Sequence, residues 1–270
     1  MTSIRATEAM NMLGLFKTEP LIDEPTAQWL FDTFAWAQRN FDAEVFKNET
    51  VLVIPSNAFF PGRENSVQGM ARLMFEHAKK YAGMSHWPLR LADGRTCSSA
   101  PAPVISMDGA LRGTHATLSE AVAVAEAEQI GVDYDPNMVG NPEGLIASFA
   151  HTLAHYLGQS ATEVPPGGVE NWPQITEVLA VFLGFGLMFA NSAFNVRTAS
   201  CGSCGKAAAD RRSYLSQYDT TYALAIFCTL KNIPAKAVLP HLKSSLRGHL
   251  KKSLKDIQKR QQAVPRLAQA

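Results

Sequence analysis

Between Glu177 and Arg197 the chain runs for nineteen residues, Val178 to Val196, without a charge. No other feature restricts the fold so tightly. A helix of that composition is stable only inside an apolar surround, either a bilayer or the middle of a protein core. Its length approaches the roughly 20 residues that span a membrane. Asn191, Ser192 and Asn195 crowd its last third, however, and Gly184 and Gly186 interrupt its middle. A buried core helix, apolar on all sides, is therefore expected over 173–191. Enclosing such a helix takes a large apolar share, which the 46% of hydrophobic residues in 270 positions supplies. With 18% charged residues, 18 Gly and 15 Pro, collagen-like, coiled-coil and disordered chains are excluded. Four cysteines are too few for a disulfide scaffold. Met1 to Lys17 shows no basic segment followed by a long apolar one, so a cytoplasmic location is expected.

Local signals outline the rest. Asp23-Glu24-Pro25 starts a helix, and Trp29, Leu30, Phe34, Ala37 and Phe41 carry helical spacing through Pro25–Phe46. Val51 to Ile54 reads as a short buried strand ended by Pro55, and Asn65 to Ala82 as a second helix. Trp87 to Leu91 and Ile130 to Tyr134 read as further strands, with a third possible at Val104-Ile105 and a helix over Leu118–Gln129. Asn141-Pro142-Glu143 combines an N-cap, a first-turn proline and an acid at the positive end of the helix dipole. It opens a helix over 142–157, with Leu145, Ile146, Phe149, Ala150, Leu153 and Leu157 on its apolar side and Gly158 as its stop. A further helix is expected over Tyr214–Leu230, followed by basic C-terminal helices.

That helix carries His151 and His155, one turn apart on one face and able to reach a single ion together. Glu177 follows 22 residues after His155, near the start of the core helix, beyond a loop long enough to fold that helix back. Two histidines and a glutamate form a catalytic zinc ligand set with an open fourth position. The segment Phe149-Ala-His-Thr-Leu-Ala-His-Tyr-Leu157, followed by Thr176-Glu177-Val-Leu-Ala180, resembles the two helical signatures of the gluzincins, the thermolysin-like zinc metallopeptidases. The resemblance covers about 55 residues, from Asn141 to Asn195, and the remainder is consistent with a bacterial protein of this kind. It implies Zn2+ held by His151, His155 and Glu177, with Ile130–Tyr134 as the strand before the active-site helix. A metzincin site does not fit, because the position for its third histidine is Ala161.

The departure from the family pattern is Thr152. Gluzincins carry the water-activating glutamate directly after the first histidine, and a threonine hydroxyl is a poor proton acceptor near neutral pH. General acid–base catalysis supplies about 10²–10⁴-fold, so a metallopeptidase-like, catalytically impaired pseudoenzyme acting by binding, on a peptide or protein partner, is expected. The alternatives are an active zinc hydrolase with a displaced base, from Glu143, Glu163 or Glu170, and a metal-free interaction protein. Asp219 and Asn191 are candidate partners for the histidine N–H groups.

Charge is divided unevenly. Lys231 to Ala270 holds ten Lys and Arg against one acid, Asp256, leaving fifteen basic and twenty-three acidic residues in the first 230. Leu242, Leu246, Leu250, Leu254 and Ile257 form an apolar stripe among Lys251, Lys252, Lys255, Lys259 and Arg260, a basic amphipathic helix. Docking of that stripe on the acidic body is expected, with an acidic partner for the basic face as the alternative. No aromatic residue interleaves the charges, so there is no strong nucleic-acid or membrane signal. Tyr214, Tyr218 and Tyr222 recur every fourth residue and read as packing. Cys201 and Cys204 read as a glycine-rich turn, and Cys228 as a small buried hydrophobe. The chain is expected to form one α+β, helix-rich, zincin-like domain over 1–270, with a small mixed sheet from its N-terminal half. Its parts are an α/β portion (1–140), the metal-site helices (141–230) and basic C-terminal helices (231–270).

Overall fold

The computed structural model describes residues 21–92, 110–116, 130–192 and 213–260. The expectations for Val104-Ile105, Leu118–Gln129, Cys201 and Cys204 lie outside these residues. Nine α-helices are described: α1 (Glu24–Asn40), α2 (Ala43–Asn48), α3 (Val67–Ala82), α4 (Pro142–Gln159), α5 (Trp172–Ala180), α6 (Gly186–Ser192), α7 (Gln217–Leu230), α8 (Ala235–Val238) and α9 (Ser244–Lys259). Two short strands, β1 (Leu89–Leu91) and β2 (Ile130–Val132), pair in parallel with Leu89 opposite Ile130. The class is α+β and helix-rich. Among the described residues the sheet is two-stranded and purely parallel rather than mixed.

The helices stack in the order α9, α7, the α5–α6 rod, α4 and α3, with α1 laid along α5 and α7. Every residue from Ile175 to Ser192 is buried, so the charge-free stretch is the core helix its composition requires. It is not a regular helix. Val181–Phe185 forms a widened turn in which Gly184 takes φ +99°. A Cβ at Gly184 would run into the Val51 carbonyl oxygen, and Val53 N donates to Gly184 O at 2.9 Å. The expected strand over Val51–Ile54 is thus extended chain bonded to this bulge, because the partner its backbone meets is the opened helix rather than another strand.

Other boundaries shift for equally local reasons. The helix expected over Pro25–Phe46 breaks at Phe41, where Asp42 adopts left-handed φ 55° and α2 begins anew. Asp42 Oδ2 meanwhile accepts from the backbone N–H of Arg112, 70 residues away. Gly158 does not stop α4, which runs to Gln159; the glycine instead leaves room for the Trp172 ring. α7 starts at Gln217 because Ser216 caps it by accepting from Asp219 N, so Tyr214 precedes the helix. Cys228 is fully buried, and burial pushes its thiol up to about 12.

α9 docks through Leu246, Leu250 and Ile257, all fully buried against α7. At about 2 kcal/mol for each buried aliphatic side chain, this stripe outweighs the weak repulsion among solvated lysines. Its end is clasped: Tyr222 Oη donates to Asp256 Oδ2 at 2.6 Å, Arg260 Nε donates to the same oxygen at 2.8 Å, and Arg260 Nη1 reaches Glu24 Oε1 at 2.6 Å.

Candidate functional site

α4 buries Leu145, Ile146, Phe149, Ala150, Leu153, Ala154, Tyr156 and Leu157, and this apolar width leaves a half-buried polar stripe. Ser148, His151, Thr152, His155 and Gln159 form that stripe at three- and four-residue intervals. The following loop is tied to α1. Trp29 Nε1 donates to Pro166 O at 2.9 Å, Trp36 Nε1 donates to Glu163 O at 3.0 Å, and Asn40 Oδ1 accepts from the Thr162 and Glu163 amides. Left-handed Gly167 and Gly168 then turn the chain so that α5 folds back along α4. The expected helix pair is formed.

Within it, His155 is held from both sides of its ring. Trp172 Nε1 lies 3.3 Å from Nδ1, and an indole N–H can only donate, so Nδ1 is the acceptor nitrogen. A neutral ring then carries its proton on Nε2, which stands 3.2 Å from the Gln159 amide. Placing Gln159 Oε1, rather than its nitrogen, opposite that N–H gives the N–H its acceptor. It also gives a partner to an oxygen that otherwise has none. Burial lowers the His155 pKa and favours this neutral form.

Glu177 is 1% exposed. Its Oε1 accepts from Tyr214 N at 3.1 Å and its Oε2 from Leu215 N at 2.9 Å, so the carboxylate grips two successive amides just ahead of α7. Thr152 donates its hydroxyl to the Ser148 carbonyl one turn back, at 3.2 Å. The structure thus places His151, Thr152 and His155 on one face and commits Glu177 to the chain before α7. Among the described residues no three His, Cys, Asp or Glu side chains stand together as a metal-holding group.

The chemistry of the donors can be set against what zinc requires. A histidine ligand needs a free lone pair on one nitrogen and an acceptor facing the other N–H. Trp172 places a donor where that acceptor should be, so His155 as it stands has the reverse arrangement from a ligand binding through Nε2. As placed, the three side chains are not gathered on one ion, and His155 and Glu177 would each have to exchange a partner to take it.

Three of the other expected participants, Asn191, Asp219 and Glu163, are engaged elsewhere. Asn191 Nδ2 donates to His241 O and its Oδ1 accepts from Lys243 N, joining α6 to the start of α9; Asp219 Oδ2 accepts from Ser216 Oγ. Neither is bonded to a histidine of α4. Glu163 pairs with Arg39 at 2.9 Å on α1, which holds its carboxyl below the usual range and removes it as a replacement base. Trp172 and Gln159 are the residues that spacing alone did not single out. Gln159 stands one turn after His155 and was legible in principle; the reach of Trp172 across the loop was not. No protein-family model, curated protein or solved structure matches the chain.

Proposed function

We propose that this chain acts by binding rather than by hydrolysis, on a zincin-like helix pair whose base position has been given up. The observation that carries the reading is the Thr152 hydroxyl. It donates to the Ser148 carbonyl inside its own helix, and a neutral hydroxyl is too weak a base to stand where a gluzincin carries its glutamate. The folding back of α5 along α4, with the histidine pair on the half-buried face, supports the family resemblance at the level of the helix pair. In this reading the bound species is a peptide or protein segment, taken beside β2, the strand before α4.

Zinc belongs to the proposal as the ion that His151, His155 and Glu177 would take. Holding it requires His155 to release the Trp172 indole and Glu177 to turn from the amides of Tyr214 and Leu215. Metal content by mass spectrometry tests this on the native protein beside His151→Ala and Glu177→Ala. The expected result is about one zinc per chain, lost in both variants. Trp172→Phe keeps an aromatic ring and removes the donor, so it should tighten zinc uptake in a chelator competition. Native protein that takes up no zinc even when offered it overturns the metal part of the reading. Measurable peptide hydrolysis by the native protein overturns the rest. With zinc bound, Thr152→Glu should create hydrolysis where the native chain shows none; an unchanged blank counts against a preserved cleft.

A further inference from the structure

The exposed side of α9 is basic along its whole length. Its solvent-facing positions are Ser244, Ser245, Arg247, Gly248, Lys251, Lys252, Lys255, Gln258 and Lys259, with no acid among them. At 1.5 Å per residue the helix is about 24 Å long, and Lys251, Lys255 and Lys259 recur at about 6 Å intervals along it. In sequence this face has no aromatic neighbour. The fold provides one. Tyr218, on α7, places its ring 4.9 Å from that of His249 on α9, and His249 Nε2 lies 3.1 Å from the Tyr218 carbonyl oxygen. Lys252, one turn beyond His249, connects this ring pair to the row of lysines. Tyr218 is 48% exposed and Tyr214, just ahead of α7, is 50% exposed, so both keep ring surface open to solvent.

We propose that α9 with the Tyr218–His249 pair forms a binding surface for single-stranded nucleic acid, independent of the α4–α5 helix pair. A row of cations follows the phosphates, and an open aromatic ring beside it stacks a base; these are the two elements of sequence-tolerant single-strand binding. An anionic membrane fits less well, because Leu246, Leu250 and Ile257 of α9 are buried and Leu254 is partly buried against the same core, which leaves no exposed apolar face to enter an acyl layer. An acidic protein would use the lysines but has no need of the exposed tyrosine ring. Two acids border the surface and are outnumbered by its lysines: Asp219, bonded to the Ser216 hydroxyl beside Tyr218, and Asp256, bonded to Tyr222 and paired with Arg260.

The test is fluorescence anisotropy of the full chain with a labelled twelve-nucleotide DNA strand, its duplex and a labelled poly-glutamate, together with flotation on vesicles containing phosphatidylserine. Single-stranded DNA should bind best. Its affinity should fall with salt at a slope of about −0.7 per phosphate contacted. Lys251→Ala/Lys255→Ala should lower that slope by about 1.4, whereas Tyr218→Ala should weaken binding roughly tenfold and leave the slope unchanged. These positions are exposed, and circular dichroism of each variant confirms the fold. Poly-glutamate bound as tightly as the single strand, indifference to Tyr218→Ala, binding to vesicles alone, or no binding to any probe would each overturn the proposal.

Discussion

Arg112 is 1% exposed and lies over the Phe182 ring at 5.1 Å. Phe182 in turn stacks on Phe46 at 4.5 Å, and Lys231 covers the far side of Phe46. Of the guanidinium nitrogens only Nη2 is bonded, to Thr50 Oγ1 at 3.2 Å; Nε and Nη1 find no partner among the described residues. Burial lowers the Arg112 pKa to about 10, against the opposing pull of Asp42 and Glu49, so the group is still charged at neutral pH. A folded-state pKa below the unfolded one means that the buried cation opposes folding through neutral pH, and that this cost eases only as pH rises above about 10. Replacing the charge while keeping the volume should therefore cost little. Arg112→Met is expected to lie within about 1 kcal/mol of the native protein or above it, and Arg112→Ala, which leaves a cavity, to lose about 3 kcal/mol, read from urea midpoints. Gly184 is the opposite case. With φ +99° and the Val51 carbonyl oxygen in the space a Cβ would take, Gly184→Ala should lose more than about 2 kcal/mol in the same assay.

At the scale of elements, α9 shows how an amphipathic helix is both docked and oriented. The apolar stripe supplies non-directional attachment, and the Tyr222–Asp256–Arg260–Glu24 clasp sets which residues meet. Burial pushes the Asp256 pKa up, but the hydrogen bonds from Tyr222 and Arg260 and the charges of Arg260 and Lys259 together hold it below the usual carboxylate range. Its contribution is therefore complete above the unfolded value near 4 and lost as pH falls through the lower folded value. Asp256→Asn should destabilise the protein by about 1–3 kcal/mol at pH 7 and flatten the acid limb of the stability profile, measured by thermal melts between pH 2 and 7. The basic helix and its apolar stripe were legible from the 242–257 pattern, as was the α4 start at Asn141-Pro142-Glu143. The break at Asp42 and the opened turn at Gly184 were not, because each answers to a partner distant in sequence: Arg112 for the one, Val51 and Val53 for the other.

Across the whole molecule, successive helical layers share one core, and the α5–α6 rod at its centre touches α1, α4 and α7. α9 closes one side of that stack, so it is an integral layer and not a detachable tail. Deleting residues 243–270 would uncover the α7 surface that Leu246, Leu250 and Ile257 now bury. The shortened chain should expose apolar area, bind a hydrophobic dye and melt at a lower temperature than the full chain. The same connectedness explains the candidate site. Helical periodicity, an N-cap with its proline, and a charge-free run act within a few turns of chain. From them alone helices were legible over 25–46, 65–82, 142–157, 173–191 and 214–230 and along the 242–257 stripe, as were the central place of the charge-free one and the shared face of His151 and His155. What lies opposite those residues was decided only by tertiary structure. Trp172 against His155, the amides of Tyr214 and Leu215 against Glu177, and Tyr218 beside His249 join residues 17 to 38 positions apart. The physical reason is that a side chain's donors and acceptors are satisfied by whichever polar groups packing brings within about 3 Å, and helical spacing constrains only the groups on its own helix.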